Sequence, residues 1–114
     1  MSPLPPELAA VNEIFLKEIS DHLVAFRAIL SDASISERST AEQEKLRHGL
    51  ENRFHVIRGG AGFLQHAQLA ACSTRGEKLF RDAKGGERIA EIVTNELPAL
   101  IQTLEEELAR ISHA

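Results

Sequence analysis

Apolar residues recur every three or four positions along most of this chain, which is the period of an α-helix. The first stripe is Leu8, Val11, Phe15, Ile19, Leu23, Phe26 and Leu30. Pro5-Pro6-Glu7 starts it, because proline is tolerated in a first turn and an acid suits a helix N-terminus. Ser31 to Ser39 is polar and reads as a loop, and Thr40 with Gln43 three residues on resembles a capping box. The second stripe, Leu46, Leu50, Phe54, Ile57, Ala61 and Leu64, runs straight through Gly59, Gly60 and Gly62. Each glycine costs about 1 kcal/mol relative to alanine in a helix interior. The period nevertheless continues, so the spacing predicts a helix through the glycines with a break near Gln65 or His66.

A third helix is expected over Gln68–Lys84, with Leu69, Cys72, Gly76, Leu79, Phe80 and Ala83 inward. Gly85-Gly86 is a stop signal. A fourth helix is expected from about Glu87 to Ile111, kinked at Pro98, which removes a backbone donor and crowds the preceding turn. Four amphipathic helices with short connections imply an all-α chain folded as an antiparallel four-helix bundle. One domain over residues 1–114 is expected, with the bundle spanning about 7–111.

Composition narrows the function classes. Five phenylalanines are the only aromatic side chains besides histidine, so the core must be largely aliphatic. A net charge of -4 offers no footprint for nucleic acid. Cys72 is the single cysteine, which excludes an internal disulfide and suits a reducing cytoplasm. Nothing after Met1 resembles a basic, apolar signal peptide, and no apolar run has the length of a membrane span.

The chemistry concentrates around His55. It follows the inward Phe54 and should sit beside the core stripe, partly facing solvent. Its helical neighbours three, four and seven positions away are His48, Glu51, Asn52, Arg58, Gly59 and Gly62. Gly59 and Gly62 leave the helix bare where another protein would approach, and Arg58 can place a cation near an anion formed on the ring. A neutral imidazole is a competent nucleophile near neutral pH, with one ring nitrogen free when the other donates to an acceptor. Arg58 to Gly62 is not a P-loop, since no Gly-Lys-Ser/Thr follows and no buried strand precedes it. No His/Cys/Asp/Glu spacing reads as a metal site: His48 and His55 lie about 10 Å apart along a helix. His22 reads as a boundary residue of the first helix, and Cys72 as core filling. Arg75, Lys78, Arg81 and the run Glu105-Glu106-Glu107 read as solvated faces.

His55-Val56-Ile57-Arg58-Gly59-Gly60-Ala61-Gly62 resembles the signature of histidine-containing phosphotransfer (HPt) domains, His-x-Leu/Ile-Lys/Arg-Gly-x-Ala/Ser. Within that family it is most similar to the N-terminal phosphoacceptor domain of the chemotaxis kinase CheA. The likeness continues more weakly over roughly residues 7 to 111. The resemblance implies that His55 is the phosphoacceptor, that Arg58 stands at the basic position near the phosphate, and that Gly59 lets a receiver domain approach. It also implies that Glu77, on the third helix, orients the His55 ring. Arginine replaces the commoner lysine at Arg58, which keeps the charge but changes its geometry.

The leading expectation is therefore a bacterial, cytoplasmic, monomeric carrier of a two-component phosphorelay. It would exchange phosphoryl groups with response-regulator receiver domains and a histidine kinase, and would hold no cofactor or metal of its own. Magnesium is expected on the partner receiver. No nucleotide motif is present, so the chain is expected to be a phosphoryl carrier and not an enzyme, and to engage neither nucleic acid nor membrane. Two alternatives share the bundle. One is the excised phosphoacceptor domain of a CheA-like histidine kinase, against which the initial Met1 weighs mildly. The other is a helical adaptor without phosphorylation.

Overall fold

The computed structural model describes residues 5–84 and 88–112. Every regular element among them is helical: α1 Pro6–Leu30, a 3₁₀ turn Ile35–Glu37, α2 Thr40–Phe63, α3 Ala67–Asp82, α4 Ile89–Asn95 and α5 Leu97–Ser112. α3 lies along α2, and α5 packs against both α1 and α3. The molecule is a rod of 48 × 22 × 19 Å, as expected when long helices run side by side.

The apolar stripes meet as the period predicts. Phe15, Ile19, Leu23 and Phe26 of α1 face Leu50, Phe54, Ile57 and Ala61 of α2 across a core completed by α3, α4 and α5. At its centre the Phe54 ring is stacked between Phe26, 4.8 Å away, and Phe80, 6.0 Å away. Cys72 is fully buried there with its Sγ 3.6 Å from the Leu100 carbonyl, and burial pushes its thiol pKa up. No helix among the described residues is long and apolar enough to cross a membrane.

The structure changes five expectations. Val11 belongs to the first stripe by spacing but is exposed, while Leu8, one turn nearer the start of α1, is partly buried against the core. The Ser31–Ser39 loop contains the 3₁₀ turn, whose Ile35 is buried against the end of the bundle that α4 closes. The capping box is Ser39 with Glu42, one residue before Thr40 and Gln43: the Ser39 hydroxyl accepts from the Glu42 N–H. At Pro98 the expected fourth helix is interrupted and runs as two, α4 and α5. α4 ends at Asn95, Glu96 stays in the αR region with φ widened to -119°, and α5 starts at Leu97 with Pro98 in its first turn, where a missing N–H costs nothing. Glu105, finally, is not a free member of the acidic run; it pairs with Arg27 and ties α5 to α1. The break between α2 and α3 falls where expected, with Gln65 at φ 63°. The Gly85-Gly86 stop and the expected start at Glu87 lie outside the described residues.

Two glycines are present for packing. A methyl group at Gly76 would lie 2.5 Å from the Phe54 ring, and one at Gly60 would collide with Phe15. These close approaches let α3 and α1 seat against α2. Gly76→Ala should therefore destabilise the fold by about 1–3 kcal/mol despite alanine's better helix propensity, because the stacked Phe54 ring has nowhere to move. Urea unfolding would show a lower midpoint with an unchanged slope.

Candidate functional site

α2 positions His55 on its outer side, one residue past the buried Phe54, with the side chain 56% exposed. α3 supplies Glu77, whose side chain is only 11% exposed. It emerges one residue after Gly76, so the same close approach that seats α3 on Phe54 brings its carboxylate under the His55 ring. His55 Nδ1 lies 2.9 Å from Glu77 Oε2. Arg58 Nε donates to the other carboxylate oxygen, Oε1, at 2.6 Å, and Arg58 Nη2 lies 3.1 Å from His55 Nδ1.

These distances determine where the protons sit. Burial pushes the Glu77 pKa up, but hydrogen bonds from His55 and Arg58 and the charge of Arg58 outweigh burial and hold it below the ordinary value. Glu77 is therefore an anion, and the proton shared with His55 belongs to Nδ1. Two protonated nitrogens cannot bond each other, so Arg58 Nη2 sits beside Nδ1 because its Nε is anchored on Glu77. Nε2 is left with its lone pair, and nothing among the described residues bonds it.

The other residues singled out in the sequence are divided. Gly59 and Gly62 are exposed, and a methyl on either would meet nothing within 4 Å. His48 and Asn52 are exposed on the same helix. Glu51 turns instead to Arg47, 2.7 Å from Nη1. Arg47 is a buried residue that the periodicity does not single out. It also bonds Glu44 and the Phe80 carbonyl, so it clamps α2 to the end of α3 below the site. Its only sequence signal is a charge beside the inward Leu46, flanked by acids at three- and four-residue spacing. His22 receives a hydrogen bond from Arg53 at 2.9 Å, on the far side of α2 from His55.

A model of the Hpt domain family matches residues 11–114, nearly the whole chain. This chain is an Hpt domain. Searches of curated proteins and of solved structures gave no significant match. Hpt domains are histidine phosphotransfer modules of phosphorelays, carriers and not enzymes, that work with kinases and response-regulator receivers. The helical bundle is the architecture such a domain has.

Proposed function

We propose that this Hpt domain carries its phosphoryl group on His55 Nε2, receiving it from and returning it to a receiver aspartate. The observation that carries this reading is the ring held at Nδ1 by an ionised Glu77 while Nε2 stays open to solvent. In the transfer, Nε2 attacks the phosphorus of an aspartyl phosphate. The acyl P–O bond breaks, the N–P bond forms, and the aspartate leaves as a carboxylate. The ring keeps its Nδ1 proton and gains positive charge, which the Glu77 carboxylate offsets, much as an aspartate supports the imidazolium of a hydrolase triad. Arg58 keeps Glu77 ionised, and its guanidinium lies close enough to favour the incoming phosphoryl anion. Magnesium, where required, belongs to the acidic pocket of the partner.

Incubation with phosphorylated receiver domains tests this directly. Intact mass should show a single, acid-labile phosphoryl adduct. Absence of an adduct with every receiver tried would reject the carrier reading.

Gly59 provides a second check, because its roles in folding and in docking oppose each other. With open space around it, Gly59→Ala should stabilise the fold by about 0.5–1 kcal/mol. Gly59→Leu should also fold, yet slow receiver transfer at least tenfold by obstructing approach to the ring. Urea titration and transfer rates measured on the same samples separate the two effects.

A further inference from the structure

Within these helices Ser20, Thr74 and Thr103 donate their hydroxyls to the carbonyl four residues earlier. Ser73 does not. It is fully buried in α3, and its Oγ is the one buried side-chain oxygen or nitrogen among the described residues without a hydrogen-bond partner. Such a hydroxyl is costly, because folding strips it of water and returns no bond.

The place of Ser73 connects it to the site. It lies one helical turn before Glu77, so the two share a face of α3, and both are buried. Helical side chains lean toward the N-terminus, which carries the Glu77 carboxylate back over the turn that holds Ser73. That carboxylate has room for another donor. Oε2 takes the His55 proton and Oε1 takes Arg58 Nε, one bond each, while each oxygen has two lone pairs. Arg58 is also the more mobile partner of the ion pair: its side chain is 43% exposed against 11% for Glu77.

Phosphorylation upsets this balance. A phosphoryl group on Nε2 brings about two negative charges close to Arg58, and competes with Glu77 for the guanidinium. Glu77 is needed most at that moment, as the counterion of the ring. Burial works against its charge, and the bonds from His55 and Arg58 are what offset burial. Losing Arg58 would leave Oε1 buried without a donor.

We propose that Ser73 is a positioning residue of the transfer: when the phosphoryl group draws Arg58 away, Ser73 Oγ–H donates to Glu77 and holds the carboxylate under the ring. The inference rests on the carrier reading above and adds a residue to it. Ser73 keeps its proton and takes no part in bond making, since the N–P bond still forms at Nε2 as the acyl P–O bond breaks. Its hydroxyl is unbonded in the unphosphorylated domain and bonded in the phosphorylated one, so it favours the phosphorylated state alone.

The test uses the full chain and a receiver that exchanges phosphoryl with it. The equilibrium ratio of phosphorylated domain to phosphorylated receiver is measured with radiolabel. Ser73→Ala is expected to lower this ratio about tenfold, the size of effect of a hydrogen bond to a charged group. The unphosphorylated variant should unfold in urea at the wild-type midpoint or above it, because alanine removes an unpartnered hydroxyl and suits a helix better. In Arg58→Ala, Glu77 lacks the arginine in both states and Ser73 bonds it in both. Adding Ser73→Ala to that background should therefore change the ratio by less than twofold. An equal ratio in Ser73→Ala and the wild type would overturn the assignment of Ser73 while leaving the carrier reading in place. A lower urea midpoint in unphosphorylated Ser73→Ala would show the hydroxyl already bonded there, and would overturn it as well. Labelling with the small donor phosphoramidate, in which the P–N bond breaks, ammonia leaves and phosphorus bonds to Nε2, tests the carrier reading separately. A wild type that takes label from neither donor would remove both.

Discussion

His55→Gln is expected to abolish phosphoryl uptake, reducing the acid-labile adduct to background in intact-mass measurements, while the domain remains folded. Two observations set this expectation. The ring contributes the only open nucleophilic nitrogen at the site, and glutamine has no lone pair on nitrogen to replace it. The side chain is also more than half exposed, so its replacement removes little buried surface, and stability should change by about 0.5 kcal/mol or less. Circular dichroism melting of the variant checks the second point. An adduct of equal size on His55→Gln would place the phosphoryl group elsewhere and return weight to an adaptor role. Partner binding with the variant should persist, since docking draws on the surface around the ring.

Glu77→Ala is expected to slow phosphoryl uptake by about 10–100-fold, the range seen when a carboxylate that orients a functional histidine is removed. The loss has a defined origin. Without the carboxylate, Nδ1 has no fixed acceptor, the ring can turn or change tautomer, and the positive charge of the phosphorylated ring loses its counterion. Arg58 also loses its anchor. Glu77→Gln separates these effects, because its carbonyl can still accept from Nδ1–H but carries no charge. It should fall between the wild type and Glu77→Ala in rate. Receiver affinity of both variants should stay close to wild type, which would not hold if Glu77 served only to support the docking face.

The pH dependence of stability gives an independent readout of the same carboxylate. The Glu77 pKa is lower in the folded protein than its ordinary value of 4.5. Its contribution to stability is thus complete above that value and is lost as pH falls through the lowered one. Glu77→Gln lacks this contribution, so its unfolding free energy should decline less steeply than that of the wild type on acidification below pH 4.5. Parallel decline in the two proteins would mean that the pair adds nothing to folding.

How much could be read without the structure differs from residue to residue. The helices are legible because their cause is local: a 3.6-residue apolar period is written into consecutive side chains, and it outlasted even the glycines of α2. His55 and its bare flank are legible for the same reason, since His55, Gly59 and Gly62 follow one another on a single helix. Glu77 could be suggested only through family likeness, for it lies 22 residues from His55 in sequence and meets it only because Gly76 lets α3 approach Phe54. Arg47 was invisible to the period because a charge is buried only when several elements supply its partners at once.

The glycines show where sequence alone stops. Gly59 and Gly60 are adjacent and chemically identical, yet one faces open space and the other receives the Phe15 ring. No local rule separates them, because the difference lies in which helix packs alongside. The same holds for Val11 and Phe63, apolar residues left uncovered by where α1 and α2 meet. Local periodicity determined the helices and the placing of His55 beside the core stripe of α2. Packing between helices determined which acid meets His55, how Arg47 is buried, and which apolar side chains are left exposed, because each of these depends on groups brought together from distant parts of the chain.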